Sequence, residues 1–120
     1  MLIAGGRNKG LDFAPVAAAI ARLNTATPAG QSRVRSAVLI GEMKEELRRL
    51  FAPLVPVVTA GSLHEAVHIA KAAADPGVQV LFSPGCASFD MFRDFEDRGE
   101  RFKTIVAALI ASAEPAAVMP

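Results

Sequence analysis

Four short apolar runs, separated by stretches of helical period, constrain this chain more than any other feature. Leu2-Ile3-Ala4 stops at Gly5-Gly6, Ala37-Val38-Leu39-Ile40 stops at Gly41, and two further runs span Val55 to Thr59 and Val78 to Phe82. Runs this short, punctuated by glycine or followed by turn residues, read as buried strands. Pro56 confines the third to an edge, or to a strand that starts beside it.

The intervening segments carry apolar residues at helical spacing. In the first, Asp12 is placed to cap and Pro15 sits in the first turn, with Val16, Ala19, Ile20 and Leu23 as the expected apolar face. Asn24 to Arg35 reads as a surface connection. In the second, Met43, Leu47, Leu50 and Phe51 form a stripe that Pro53 ends. Ser62-Leu63-His64-Glu65 is a capping box opening a third helix that runs to about Ala74, before the turn Asp75-Pro76-Gly77. The last helix carries Phe92, Phe95, Phe102, Val106 and Leu109. Strands joined by helices require right-handed crossovers and a parallel arrangement. The expectation is a single α/β, Rossmann-like domain over residues 1–110, its mostly parallel sheet covered by helices on both faces. Residues 111–120 are expected to form a flexible tail.

With 120 residues, the chain supports one core and not two. Thirteen basic against twelve acidic side chains leave a net charge of +1, and no basic stretch stands out. Electrostatic binding to nucleic acid or to an anionic membrane is therefore not expected. Cys86 is the single cysteine, which excludes an internal disulfide. No apolar run approaches the roughly 18–20 residues of a membrane span. The first residues carry no positive segment of the kind that opens a signal peptide, so the expected location is the cytoplasm. A chain that opens inside a core strand is expected to be a piece of something longer.

Two loops stand where parallel sheets bind ligands, at the carboxyl ends of strands. The first runs Gly5-Gly6-Arg7-Asn8-Lys9-Gly10-Leu11-Asp12-Phe13. Its glycines let backbone approach a ligand, and Lys9 supplies a positive charge; a glycine turn with solvated Arg7 and Lys9 accounts for the spacing equally well. The pattern is not a phosphate loop, since Gly-x-x-x-x-Gly-Lys-Ser/Thr is absent. The second loop is Ser83-Pro84-Gly85-Cys86-Ala87-Ser88-Phe89-Asp90, with Ser88 expected at the opening of the last helix. There it can cap the helix, share its hydroxyl with an anion, or do both. Cys86 has no base near it in sequence and is expected to be inert. His64 and His68 have metal-ligand spacing, but nothing in the sequence completes a set, so no metal site is expected.

Together the loops resemble the D-glutamate-adding branch of the Mur ligase family. The first is similar to its Gly-Gly-x-x-Lys-x-x-Asp-Phe segment. The second, continued through Phe95-Glu96-x-Arg98-Gly99-x-x-Phe102, is similar to its Ser-Pro-Ala-Cys-Ala-Ser…Phe-Glu-x-Arg-Gly-x-x-Phe signature. Gly85 departs from the commoner Ala. The Asp-Asn-Pro-Arg segment of the diaminopimelate- or lysine-adding relatives is absent. The resemblance implies the C-terminal, amino-acid-binding domain of an ATP-dependent amide ligase. Such a ligase adds D-glutamate to UDP-N-acetylmuramoyl-L-alanine in peptidoglycan synthesis, and hence serves cell-wall biogenesis, cell shape and cell division.

By the same resemblance Lys9, Ser88, Phe89 and Phe95 would contact D-glutamate, and no catalytic residue is assigned. ATP and Mg2+ would be bound mainly outside this chain, which lacks the domain's first segment and by itself would be inactive. The other readings are the corresponding domain of another Mur- or folylpolyglutamate-type ligase, or a non-enzymatic α/β module that binds an anion.

Overall fold

A computed structural model describes residues 1–7, 10, 12–26, 33–86 and 91–118, the last seven of these as backbone. Eight elements alternate: β1 (Leu2–Gly5), α1 (Ala14–Ala26), β2 (Ala37–Ile40), α2 (Lys44–Phe51), β3 (Val57–Thr59), α3 (Leu63–Ala73), β4 (Leu81–Gly85) and α4 (Phe95–Val118). The four strands form one parallel sheet in the order β3-β2-β1-β4. The α/β class and the parallel sheet expected from the alternation are both present.

Strand order follows from crossover handedness. From β1 to β2 to β3 the chain steps one way across the sheet, so α1 and α2 share a face. From β3 it then jumps back past β2 and β1 to β4. A right-handed crossover in the reverse direction puts its helix on the opposite face. Burial agrees. Ala4, Ala37 and Leu39 point into a cluster with Phe13, Ala17, Ile20, Met43, Leu47 and Phe51. Ile3, Val38 and Ile40 point the other way, against Leu63, Ala66, Val67 and Ala70 of α3. Phe102, Val106 and Leu109 of α4 close that second side, and Phe102 stacks on Phe82 with centroids 4.6 Å apart. Both faces of β1 and β2 are thus covered, which explains why their sequences are apolar without alternation.

Ser62 caps α3 as expected, while Glu65 reaches back one residue beyond the cap. The Glu65 N–H donates to Ser62 Oγ at 3.0 Å, and the Glu65 carboxylate accepts from the Gly61 N–H at 3.1 Å. Met43 at the N-cap of α2, and Leu47 and Phe51 within it, are buried one turn apart.

Several expectations are corrected. The α1 face is rotated: Phe13, Ala17 and Ile20 are buried, while Val16 and Leu23 are 42% and 44% exposed. Two anchors outside the apolar pattern set this rotation. The Phe13 ring enters the core at one end. At the other, Asn24 exchanges two hydrogen bonds with the Val34 backbone, at 2.8 and 2.9 Å. The third strand begins only at Val57, after Pro56, whose carbonyl accepts from Ala37 N–H.

The fourth strand starts three residues later than the apolar run suggests. Val78 closes the Asp75 turn with a 3.0 Å bond. The Met1 amino group donates to the Gln79 carbonyl at 2.9 Å, and Leu81 N–H donates to the Met1 carbonyl at 2.8 Å, where the ladder begins. β4 then carries Pro84, which an edge strand tolerates because one row of its backbone groups has no ladder partner. Helical backbone in α4 continues to Val118. Its many alanines favour helix.

Candidate functional site

The sheet reverses its winding direction between β1 and β4, and open α/β sheets bind ligands at such a switch point, beyond the carboxyl ends of the strands. Both loops singled out in the sequence leave from this place. Gly5 and Gly85 are Cα partners across β1 and β4, so the two loops start side by side, about 4.8 Å apart. Between Ile3 and Gly5 on β1, β4 advances from Phe82 to Gly85, so β4 carries one extra residue. Such a bulge bends the strand and re-aims the residues after it.

Gly5 and Gly85 are tightly placed. Gly5 has φ +129°, and a Cβ there would lie 1.9 Å from the Ile40 carbonyl oxygen. β1 therefore lies against β2 with no room for a side chain. The Gly6 carbonyl accepts from the Met43 N–H at 2.8 Å, which ties the first loop to the start of α2. Gly85 has φ +70°, and a Cβ there would meet the Phe13 ring at 3.3 Å. The departure from the commoner Ala of the resemblance thus falls on a backbone conformation that favours glycine. Phe13, which closes the first loop, lies over the base of the second, and Cys86 is buried in the same cluster.

Of the residues expected to contact a ligand, Lys9, Ser88 and Phe89 lie outside the described residues. Phe95 is described and is 68% exposed. By spacing it shares a face with Phe102, yet at the first position of α4 it is not drawn into the core as Phe102 is. Arg7 pairs with Glu42 at 3.4 Å on the surface. Asp12 accepts the Ala14 N–H at 2.9 Å, where α1 begins.

The last helix does not open at Ser88. α4 begins at Phe95, and its cap is Asp94, whose carboxylate accepts the Asp97 N–H at 2.8 Å. The Asp97 carboxylate in turn accepts the Arg93 N–H at 3.0 Å and Arg101 Nε at 3.1 Å. The Arg93 N–H, and then Arg101, hold the Asp97 carboxyl below its ordinary value against the opposing effect of desolvation. Asp94 is thus an acidic N-cap, with Asp97 reaching back to the N–H of the residue before it. The spacing Asp94-x-x-Asp97 could have located it, but the apolar residues before it drew the helix start too early.

Sequence reasoning also left Arg98 without a role. Its Nη1 donates to the Cys86 carbonyl at 2.8 Å, twelve residues back, linking α4 to the end of β4. His64 and His68 stack at 4.2 Å, and His68 Nδ1 bonds to the His64 carbonyl. Among the described residues no group of three or more His, Cys, Asp or Glu is placed to hold a metal ion. The phosphate-loop pattern is also absent from the sequence, so the described residues do not by themselves make up a nucleotide–magnesium site. A groove of about 600 Å³ opens at the opposite end of the strands beside Met1, Arg35, Pro76 and Leu81. That end is not where parallel sheets bind ligands. Among the described residues, no helix is long and apolar enough to cross a membrane.

No protein-family model matches the chain. Curated relatives do match it. It is 48% identical over 106 residues to the UDP-N-acetylmuramoylalanine--D-glutamate ligase of Chlorobaculum parvum, covering 88% of this chain and 21% of that protein. For the proteins of the same name from Marinobacter nauticus and Geobacter metallireducens, identity is 48% over 109 residues and 46% over 114. Those matches cover 91% and 95% of this chain, and 22% and 23% of the relatives. The chain thus spans about a fifth of the length of the curated relatives it matches. The resemblance read from the two loops is borne out across nine-tenths of the chain.

Proposed function

We propose that this chain is the C-terminal, amino-acid-binding domain of a cytoplasmic, ATP-dependent ligase that adds D-glutamate to UDP-N-acetylmuramoyl-L-alanine in peptidoglycan synthesis. The observation that carries this reading is the pairing of Gly5 with Gly85 at the switch point, which starts both signature loops from one edge of the sheet. The sequence similarity to ligases of that name supports it independently.

In such a reaction the substrate carboxylate is activated as an acyl phosphate. The amine of D-glutamate attacks the activated carbon and loses a proton, and phosphate leaves as the amide forms. The part assigned to this chain is to bind and orient D-glutamate so that its amine faces that carbon. D-Glutamate brings two carboxylates. Lys9 would meet one with its ammonium and Ser88 the other with its hydroxyl, while Phe89 and Phe95 would flank the aliphatic stem. The exposure of Phe95 suits an aromatic side chain kept for a ligand and not for the core. ATP and magnesium would be held mainly outside this chain, so the chain by itself would turn over no ATP.

The test is kinetic. A charge-assisted hydrogen bond contributes roughly 1.5–3 kcal/mol, or about 10–150-fold in affinity. In the complete ligase, Lys9→Ala should raise KM for D-glutamate at least about tenfold and change that for ATP much less. Ser88→Ala should act in the same direction more weakly, because a hydroxyl is a neutral donor. Normal D-glutamate kinetics in both variants would overturn the reading.

A further inference from the structure

We infer that Arg98 is a positioning residue for the amino-acid site: its guanidinium fixes the Cys86 carbonyl, and with it the base from which the second loop departs. This rests on the reading of the site given above. Three observations carry it.

The contact spans elements. Nη1 of Arg98, on the second turn of α4, donates to the Cys86 carbonyl at 2.8 Å across twelve residues. It is partly buried, where a charge-assisted bond is less weakened by water.

The acceptor end is held by the core and by strand pairing. The Cys86 side chain is 1% exposed among core residues, and Gly85 before it is registered against Gly5 and lies under Phe13. The bulge in β4 lies just before it, between Phe82 and Gly85, and pairing with β1 is regained at Gly85. The Arg98 side chain adds a constraint from α4 on the carbonyl that follows.

The donor end is anchored as well. Arg98 N–H bonds to the Asp94 carbonyl at 3.1 Å. The Asp94 and Asp97 carboxylates close the acidic cap, with Arg93 and Arg101 on Asp97. Arg98 therefore reaches out from a turn that is already fixed. A planar guanidinium holds such an angle, whereas a lysine ammonium offers a donor without it.

Two measurements test the proposal. The first uses this 120-residue chain, in which Cys86 is the only thiol. Buried as it is, Cys86 reacts with an aromatic disulfide reagent only when the loop base opens, so the labelling rate reports that opening. Arg98→Ala should speed labelling at least about tenfold, Arg98→Lys less, and Lys103→Ala on the exposed side of the same helix not at all. Equal acceleration by Lys103→Ala would mean general loosening of α4 and would overturn the assignment. So would an unchanged rate in Arg98→Ala.

The second uses the complete ligase. Arg98→Ala should raise KM for D-glutamate at least about fivefold, with kcat and KM for ATP within about twofold, and Arg98→Lys should recover part of the loss. If Lys9→Ala raises KM for D-glutamate while Arg98→Ala does not, the positioning role fails and the site assignment stands. If neither variant affects D-glutamate, both fail together.

Discussion

Gly5 and Gly85 face each other as Cα partners on the adjacent parallel strands β1 and β4, and both have positive φ, +129° and +70°. Two glycine-bearing loops that are distant in sequence thus leave the sheet from one point, the place where its winding direction reverses.

Gly5→Ala should disrupt the fold. The added methyl would meet the Ile40 carbonyl oxygen at 1.9 Å, and that oxygen belongs to backbone in the middle of the sheet. The φ value is equally unsuited to alanine. The expected loss exceeds about 3 kcal/mol, since strain and strand separation add. Urea unfolding followed by circular dichroism measures it. A midpoint within error of the native one would contradict the close approach of β1 to β2.

Ser62→Ala should cost about 1 kcal/mol, the usual contribution of a serine N-cap. It removes the acceptor of the Glu65 N–H while leaving the bond from Gly61 N–H to the Glu65 carboxylate. Adding Glu65→Ala should cost less than the two single losses combined, because the bonds belong to one cap. Full additivity by chemical denaturation would show the two to be independent.

Asp97 should give stability that disappears in acid. Its carboxyl is held below the ordinary value of 3.8, first by the Arg93 N–H and then by Arg101. A depressed folded-state value means that the unfolded chain takes up the proton first. The contribution is therefore complete above about pH 4 and is lost as pH falls through the folded value. Asp97→Asn should be less stable than the native chain at neutral pH, and the gap should narrow below about pH 4. A gap that stays constant down to about pH 2 would exclude the carboxylate as its source.

Cys86→Ala should leave the complete ligase within about threefold of its native rate, since no step requires a thiolate. The structure adds a reason. Arg98 takes the backbone carbonyl of Cys86, which alanine also provides, so the contact survives. Stability should fall modestly, because a buried sulfur leaves a small void among Ala4, Phe13 and Ala17. A loss of activity of a thousandfold or more would mean that Cys86 has a chemical role.

The sequence by itself determined the features whose causes are local. Ala37 to Ile40 is a strand because an apolar run ending in glycine at this length has few other fates. Ser62 and Glu65 cap α3 because the groups that satisfy its first N–H donors lie within four residues of one another. The loop residues also carried the likeness to D-glutamate ligases, since a motif is a property of the chain and not of its folding.

Tertiary structure decided the rest. Val78 and Val80 read as part of one run with Leu81 and Phe82, yet the strand begins at Leu81, whose N–H finds the Met1 carbonyl. Val16 and Ala17 are comparable candidates for burial on α1, and Ala17 goes inside because the Phe13 ring and the Asn24–Val34 bonds orient the helix. The pairing of Gly5 with Gly85, and the reach of Arg98 to Cys86, follow from β4 lying beside β1. That neighbour relationship arises when the chain crosses back over the sheet after β3. Local spacing carries no record of it, because register and burial depend on partners that sequence separation does not bring together.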